Sequence, residues 1–202
     1  MSAPHNKHRF FAVLCCIAAW NAAAWPRIAA IAALLCAPTA RAQSPLPPAL
    51  LDGAAGLLAD WIDASRAQVL QQGAQPIPPQ ILPSLLGFFP ASLLSGVRYA
   101  IGSEAGYGLP ALAFAYGDAA AMTLGNVVVF RNDHDAQTDL KLWAHELTHV
   151  QQYERWGIQG FAARYVRDTT AVEREAYANA DRFIAWHRNH PSPGASRPWF
   201  LP

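Results

Sequence analysis

A pattern with the chemistry of a metal site lies in the second half of the chain. Residues 142–156 read LWAHELTHVQQYERW and contain His145, Glu146 and His149 at the spacing His-Glu-x-x-His. Residues four apart lie on one face of a helix, one turn from each other, so both imidazoles can reach a single zinc ion at roughly 2.0–2.1 Å. Glu146 is placed beside the metal, where a carboxylate can act as general base on a zinc-bound water whose pKa falls to roughly 7. The pattern therefore predicts hydrolysis of a carbonyl compound, such as a peptide bond.

The apolar residues around the motif bear on the alternative, an ordinary helix with two solvated histidines. Leu142, Ala144, Leu147 and Val150 give this helix a wide apolar surface, which predicts that it is buried. Buried imidazoles and a buried carboxylate are costly unless they are paired. These residues favour the metal site over the ordinary helix.

A third protein ligand is expected from the helix that follows, in the stretch TAVEREAYANADRF at residues 170–183. Glu173 lies closer to the apolar face of that helix, although Thr170 and Glu173 also fit a capping box. Glu175 has Asn179 one turn further on as a hydrogen-bonding partner. We take Glu173 as the third ligand and keep Glu175 as the alternative.

Several other side chains have chemistry that fits the site. Tyr153 continues the face of the two histidines by one turn, and Tyr165 and Tyr177 follow on the next helices. Each tyrosine can either donate to the oxyanion of a tetrahedral intermediate or simply bury its ring. His134, in the stretch NDHD, is a weaker metal candidate because an Asn/Asp-rich stretch between a strand and a helix is typical of a turn.

The elements that must position these residues can be read from hydrophobic periodicity and from glycine and proline. Residues 131–139 are predicted as a polar loop, and Thr138 or Asp139 can cap the motif helix. Gly125-Asn126 is predicted as a tight hairpin turn. The predicted helices are 49–72, 83–95, 138–156, 161–166 and one from 168–170 to 187, and the predicted strands lie in 97–102, 112–117 and 121–132.

The first 42 residues have the features of an export signal. Basic residues at 7–9 precede two apolar runs split by Pro26-Arg27, and Ala40-Arg41-Ala42 resembles a cleavage site before Gln43. An uncleaved membrane anchor is the alternative, but neither run reaches the roughly 20 residues that a spanning helix needs. All three cysteines, Cys15, Cys16 and Cys36, fall in this leader, so cleavage leaves a periplasmic or secreted domain without thiols.

The charge of the chain gives no indication of a nucleic-acid partner. The formal net charge is +1, and no basic cluster indicates nucleic acid. We therefore expect a peptide or protein partner and no stable membrane span after cleavage, and the oligomeric state stays open.

The predicted organisation is a signal peptide (1–42), a proline-rich linker with N-terminal helices (43–96), a metal-binding domain (97–187) and a flexible tail (188–202).

The stretches AMTLGNVVVF, LWAHELTHVQQ and VEREAYA, within residues 97–186, resemble an uncharacterised family of bacterial zincin-like domains. The family is similar to the glutamate-zincin metallopeptidases, and some members occur beside extracellular contractile injection systems. The resemblance implies an α+β fold with a small antiparallel sheet and a glutamate ligand on the helix after the motif. It also implies an edge strand, which NVVVF would supply, that pairs with an extended peptide. This chain has Tyr177 where many relatives have Asp.

Two functions of different classes follow from these observations. The first is an exported zinc metallopeptidase in which His145, His149 and Glu173 hold Zn²⁺ and Glu146 is the base. The alternative is a non-catalytic zinc-binding module that binds a partner in an envelope or secretion assembly. A structural domain without metal is the third and weakest interpretation.

Overall fold

The computed structural model describes residues 47–102 and 119–191. The fold is α+β, as predicted, with a small sheet between layers of helices. The elements in chain order are α1 (Pro48–Gln71), β1 (Gln75–Pro76), α2 (Leu82–Leu85), α3 (Ala91–Gly96), β2 (Arg98–Ile101), β3 (Ala121–Leu124), β4 (Val127–Phe130), α4 (Asp133–Thr138) and α5 (Leu140–Asn189).

The sheet is mixed, whereas the sequence predicted an antiparallel one. The strand order is β1-β2-β4-β3, with β2 parallel to β4 and the other two pairs antiparallel. The hairpin β3–β4 is antiparallel because Gly125-Asn126 joins the two strands in a tight turn, where Gly125 has a φ of 65°. No short turn joins β2 to this hairpin, so the local sequence does not determine the direction of their pairing.

The position of the segment NVVVF also differs from the prediction. β4 lies between β2 and β3, so it is an interior strand, and all four of its residues are buried. An unbroken apolar run is typical of a strand that is covered on both faces. The outer strand of the described sheet on this side is β3, so AMTL and not NVVVF lies at the edge.

The sheet separates two apolar cores. Val127 and Val129 face the first core, which α1 covers with Leu58, Ile62 and Val69. Val128 and Phe130 face the second core, which contains Trp143 and Leu147 of the motif helix and Phe183 from further along α5. The side chains of β4 therefore tie α1 and the motif helix to opposite faces of one sheet.

Helix α5 covers 50 residues but is interrupted twice, at Gly157 (φ 66°) and at Asp168 (φ −152°, ψ 74°). We call its three parts the motif segment (140–156), the bridging segment (158–167) and the glutamate segment (169–189). They correspond to the three helices predicted from the sequence. Asp139 caps the motif segment and Asp168 caps the glutamate segment, since their carboxylates accept from backbone N–H groups three residues on, both at 2.9 Å.

The predicted polar loop at 131–139 contains a short helix, α4. Asn132 caps it by accepting from the backbone N–H of Asp135 at 2.9 Å. His134 is exposed on this helix, and its carbonyl accepts from the Thr138 hydroxyl at 2.8 Å. Thr138 is thus engaged within α4 and does not cap the motif segment. His134 lies outside the His/Glu cluster described below.

One further predicted helix is divided in two, and several predicted segments lie outside the described residues. The helix predicted over 83–95 is two short helices, because Gly87 has a φ of 89° and Pro90 precedes α3. The predicted leader, the strand at 112–117 and residues 192–202 of the predicted tail lie outside the described residues. Among the described residues, no helix has the length and apolar character needed to cross a membrane.

Candidate metal centre

The motif segment and the glutamate segment bring His145, His149 and Glu173 together in the interior. All three residues are buried, and one ligand atom of each lies within 4.8 Å of the other two. The two imidazole Nε2 atoms are 3.1 Å apart. The Glu173 carboxylate reaches His145 Nε2 at 3.3 Å and His149 Nε2 at 3.7 Å. The structure thus joins the two motif histidines to the predicted third ligand.

These distances fit three ligands of one tetrahedral metal ion. Two ligands at roughly 2.1 Å from zinc, at a tetrahedral angle, lie roughly 3.4 Å from each other. The observed separations of 3.1, 3.3 and 3.7 Å fall on either side of that value. Glu173 Oε2 is also buried, and its 3.3 Å contact with His145 Nε2 is not aligned as a hydrogen bond. A buried carboxylate oxygen of this kind is costly without a cation, so the residues present fit a zinc ion.

The charges at the cluster shift the pKa values of His149 and Glu173. Burial lowers the pKa of His149, but the adjacent Glu173 carboxylate, at 3.7 Å, and the negative charge of Glu146 outweigh burial and raise the pKa to about 9. Burial raises the pKa of Glu173, but the close imidazoles of His145 and His149 outweigh burial and lower the pKa to about 2. Without metal, His149 and Glu173 therefore form a buried ion pair at neutral pH.

This ion pair predicts that metal binding releases a proton. At pH 7.5, His149 of the metal-free protein is almost fully protonated, since its pKa is about 9, and zinc requires the neutral imidazole. We expect release of at least about one proton per zinc and an affinity that rises about tenfold per pH unit towards pH 9. Calorimetry at pH 7.5 in two buffers of different protonation enthalpy measures this number. Zinc binding with no proton release would contradict the ion pair.

Glu175, the alternative ligand, points away from the cluster. Its carboxylate accepts from Arg155 at 2.6 Å and from Gln152 at 3.0 Å. Residues two apart on a helix project about 200° from each other, so only one of the two glutamates can face the histidines. Glu173 is that residue, and no capping box with Thr170 is needed because Asp168 caps this segment.

Gln152 is a site residue that the sequence reasoning missed. Its side-chain oxygen accepts from His149 Nδ1 at 2.8 Å, and its nitrogen donates to Val172 O and to Glu175. A proton held on Nδ1 leaves the lone pair of the neutral ring on Nε2, which faces His145 and Glu173. The available signal was the spacing, since a residue three positions after a helical ligand lies beside it.

Loss of the hydrogen bond between Gln152 and His149 should weaken zinc binding. We expect Gln152→Leu to reduce zinc affinity about 10- to 100-fold, because the His149 ring loses the partner that fixes its proton and orientation. The neighbouring Gln151→Leu is the matched control and should stay within about threefold of wild type. Competition with a zinc chelator measures both variants. Equal affinities in the two variants would show that Gln152 does not position His149.

Glu146 lies beside the cluster without belonging to it. It is 4% exposed, and its Oε2 accepts from the Thr123 hydroxyl of β3 at 2.7 Å. The same hydroxyl lies 3.2 Å from the backbone carbonyl oxygen of Glu146, so strand and helix meet at this point. The arrangement leaves Oε1 as the carboxylate oxygen for a proton. Thr123 is a second residue that the motif spacing did not reveal.

The candidate oxyanion donors have different environments. Tyr153 donates to the backbone carbonyl of Thr123 at 3.2 Å, and Tyr165 donates to Glu173 Oε1 at 3.1 Å. Burial, together with nearby carboxylates, raises the pKa of both tyrosines, so both stay neutral donors. Tyr177 is 54% exposed, and its ring lies 4.4 Å from the His145 ring. Tyr177 is therefore the exposed one of the three, whereas Tyr153 and Tyr165 line the cleft described below.

Asn179 has a structural role that differs from the predicted one. Its amide donates to the Thr148 hydroxyl at 2.8 Å, and its oxygen accepts from Arg182. Thr148 in turn donates to the Ala144 carbonyl within the motif segment. Asn179 therefore holds the glutamate segment against the motif segment, and the predicted contact with Glu175 is replaced by these bonds.

The site opens into a cleft of about 790 Å³, a volume that includes space open to solvent. His145, Glu146, His149 and Glu173 are among its lining residues. The other walls come from α1, from residues 119–124 around β3 and from the bridging segment. The buried cluster thus shares this cleft with residues of the outer strand β3.

Comparison with known proteins covers part of this structure. Residues 76–157 match the family model of the eCIS core domain. The matched range includes the motif but ends before Glu173, and it begins after α1. It supports the expected relationship to chains found beside extracellular contractile injection systems, while the metallopeptidase relationship stays a prediction. No curated protein and no solved structure matches the chain.

Proposed function

We propose that this protein is a zinc-dependent peptidase. The observation that carries the proposal is the cluster of His145, His149 and Glu173 in the lining of an open cleft, with the Glu146 carboxylate beside it. Three protein ligands leave a fourth zinc position for a reactant, which is the arrangement of catalytic zinc sites. We further propose that the protein acts after export, in the periplasm or outside the cell.

Each residue of the site has its own role in the proposed hydrolysis. Zinc held by the three ligands would polarise a carbonyl group and make water a nucleophile near neutral pH. Glu146 takes the proton of the attacking water on Oε1, because the Thr123 hydroxyl occupies Oε2. The same carboxylic acid then gives this proton to the departing amine. Tyr177, which is exposed and has its ring beside that of His145, is the proposed donor to the developing oxyanion.

The outer strand β3 offers a place for the peptide backbone. The backbone N–H of Arg131 donates to the carbonyl of Ala120, which marks this pair as hydrogen-bonded in the β3–β4 ladder. Hydrogen-bonded and non-bonded pairs alternate in antiparallel strands, so Ala121 and Thr123 direct their N–H and C=O groups away from β4. Tyr153 already donates to the Thr123 carbonyl. The Ala121 groups and the Thr123 N–H therefore point to the side where an extended peptide could add as a strand.

The match to the eCIS core domain favours a second candidate function. A domain of an injection-system protein can use the same cleft to hold a partner segment without cutting it. Zinc would then stabilise the fold by joining the motif segment to the glutamate segment. This module and the peptidase both bind zinc, and they differ in whether a peptide in the cleft is hydrolysed.

Metal removal tests the proposal against its alternative. The purified chain loaded with zinc should cleave members of a mixed peptide library, as read by mass spectrometry. Chelation should stop cleavage, and added zinc should restore it. A zinc-loaded chain that binds library peptides and leaves them intact would support the non-catalytic module instead.

A further inference from the structure

We infer that the part of the cleft beyond the metal centre is a recognition pocket for one large apolar side chain of the substrate. This inference rests on the proposed function, because it places the pocket next to the bond that is cut. The preferred substrates are peptides with a residue such as leucine, methionine or phenylalanine beside the scissile bond.

The walls of this recognition pocket are apolar on three sides. Leu58, Trp61 and Ile62 of α1 form the first side, and Met122 of β3 forms the second. The third side is Phe161 of the bridging segment. The Phe161 ring stacks between two tyrosine rings, with centroids 4.0 Å from Tyr153 and 5.4 Å from Tyr165. Such stacking holds flat aromatic surface in place for a side chain to contact.

The distribution of charge in the cleft also favours an apolar substrate side chain. The ionisable lining groups other than tyrosines are His145, Glu146, His149 and Glu173, and all of them belong to the metal centre. A charged substrate side chain in the recognition pocket would lose its hydration, and outside the metal centre no lining residue carries the opposite charge. An apolar side chain gains from the same loss of water.

Helix α1 is anchored as a fixed wall of this pocket. Near its C-terminal end, Arg66 donates to the Asn126 side chain in the β3–β4 turn at 2.8 Å. Near its N-terminal end, Asp52 pairs with Arg167 of the bridging segment. Both α1 and Phe161 lie outside the residues that match the eCIS core domain. The pocket is therefore built largely by parts of the chain that surround the matched range.

The inference can be tested by ligand binding, without turnover. Four short peptide hydroxamates that differ only in one side chain (isobutyl, benzyl, methyl or carboxymethyl) are titrated into the zinc-loaded full chain. The hydroxamate supplies a constant zinc-binding group. We expect the isobutyl and benzyl compounds to bind at least about tenfold tighter than the methyl compound, and the carboxymethyl compound to bind weakest.

A charge placed in the wall should change this order. Met122 is partly exposed at the outer strand, so the Met122→Lys variant is expected to fold. In this variant the ratio of the isobutyl affinity to the carboxymethyl affinity should fall by at least about tenfold. Leu50→Lys is the control, because Leu50 is 44% exposed on α1 and does not line the cleft. Trp61→Ala is a second variant, in which the preference for benzyl should fall if the pocket is as described.

The outcomes separate this inference from the proposed function. Four equal affinities in the zinc-loaded wild type would overturn the recognition pocket and leave the peptidase proposal standing. An unchanged order in both Met122→Lys and Trp61→Ala, with zinc content retained, would also overturn it. The expected order together with no cleavage of leucine- or phenylalanine-containing peptides would support the pocket and contradict the peptidase.

Discussion

Replacing Glu146 by Gln is expected to lower kcat/KM for peptide cleavage about 10²- to 10⁴-fold, the range that a general base contributes. This loss corresponds to about 3–5 kcal/mol of transition-state stabilisation. The amide has nearly the shape of the carboxylate, but it cannot accept the proton of the attacking water. Zinc content should not change, because Glu146 is bound to Thr123 and is not one of the three clustered ligands.

Glu154→Gln is the matched control for this experiment. Glu154 is exposed on the same motif segment and does not line the cleft. Its variant should cleave peptides within about twofold of wild type. Zinc content and thermal unfolding of both variants show whether the site and the fold are intact. A Glu146→Gln protein that retains zinc and cleaves as fast as the control would remove Glu146 from the proposed mechanism.

The second large effect concerns the two glutamates of the glutamate segment. Glu173→Gln should reduce zinc affinity by more than about 100-fold, which exceeds the usual effect of removing a partner of a ligand. The variant also loses the buried charge that balances His149. Glu175→Gln should reduce affinity by at most about tenfold, since Glu175 contacts Gln152 and Arg155 and only indirectly supports His149.

The comparison of the two variants decides between the two glutamates, because each change removes one charge at nearly constant volume. Zinc affinity is measured by chelator competition, and zinc content by elemental analysis. Circular dichroism shows whether each variant has folded. The opposite result, with zinc kept in Glu173→Gln and lost in Glu175→Gln, would assign the third ligand to Glu175.

The sequence was sufficient for those features that depend on local spacing. His145 and His149 share a face because they are four apart on a helix, and Asp139 and Asp168 cap helices through bonds to residues three positions on. The preference for Glu173 over Glu175 followed from its nearness to the apolar face. Each of these inferences needs only the geometry of a single helix.

The features that the sequence did not reveal depend on how distant elements meet. The contact between Thr123 and Glu146 requires the register of β3 against the motif segment, which no local pattern specifies. The interior position of β4 likewise depends on its pairing with β2. The amphipathic pattern of α1 predicted a helix, but it could not predict that Leu58 and Trp61 would form a wall of the cleft.

The most direct test of the central claim is an anomalous difference map at the zinc edge from crystals of the zinc-loaded protein. The account predicts one peak at roughly 2.0–2.2 Å from His145 Nε2, His149 Nε2 and a Glu173 carboxylate oxygen, with the fourth position facing the cleft. Glu175 should remain bonded to Gln152 and Arg155. A map without a peak between these three residues, or a zinc ion held by Glu175, would contradict the account.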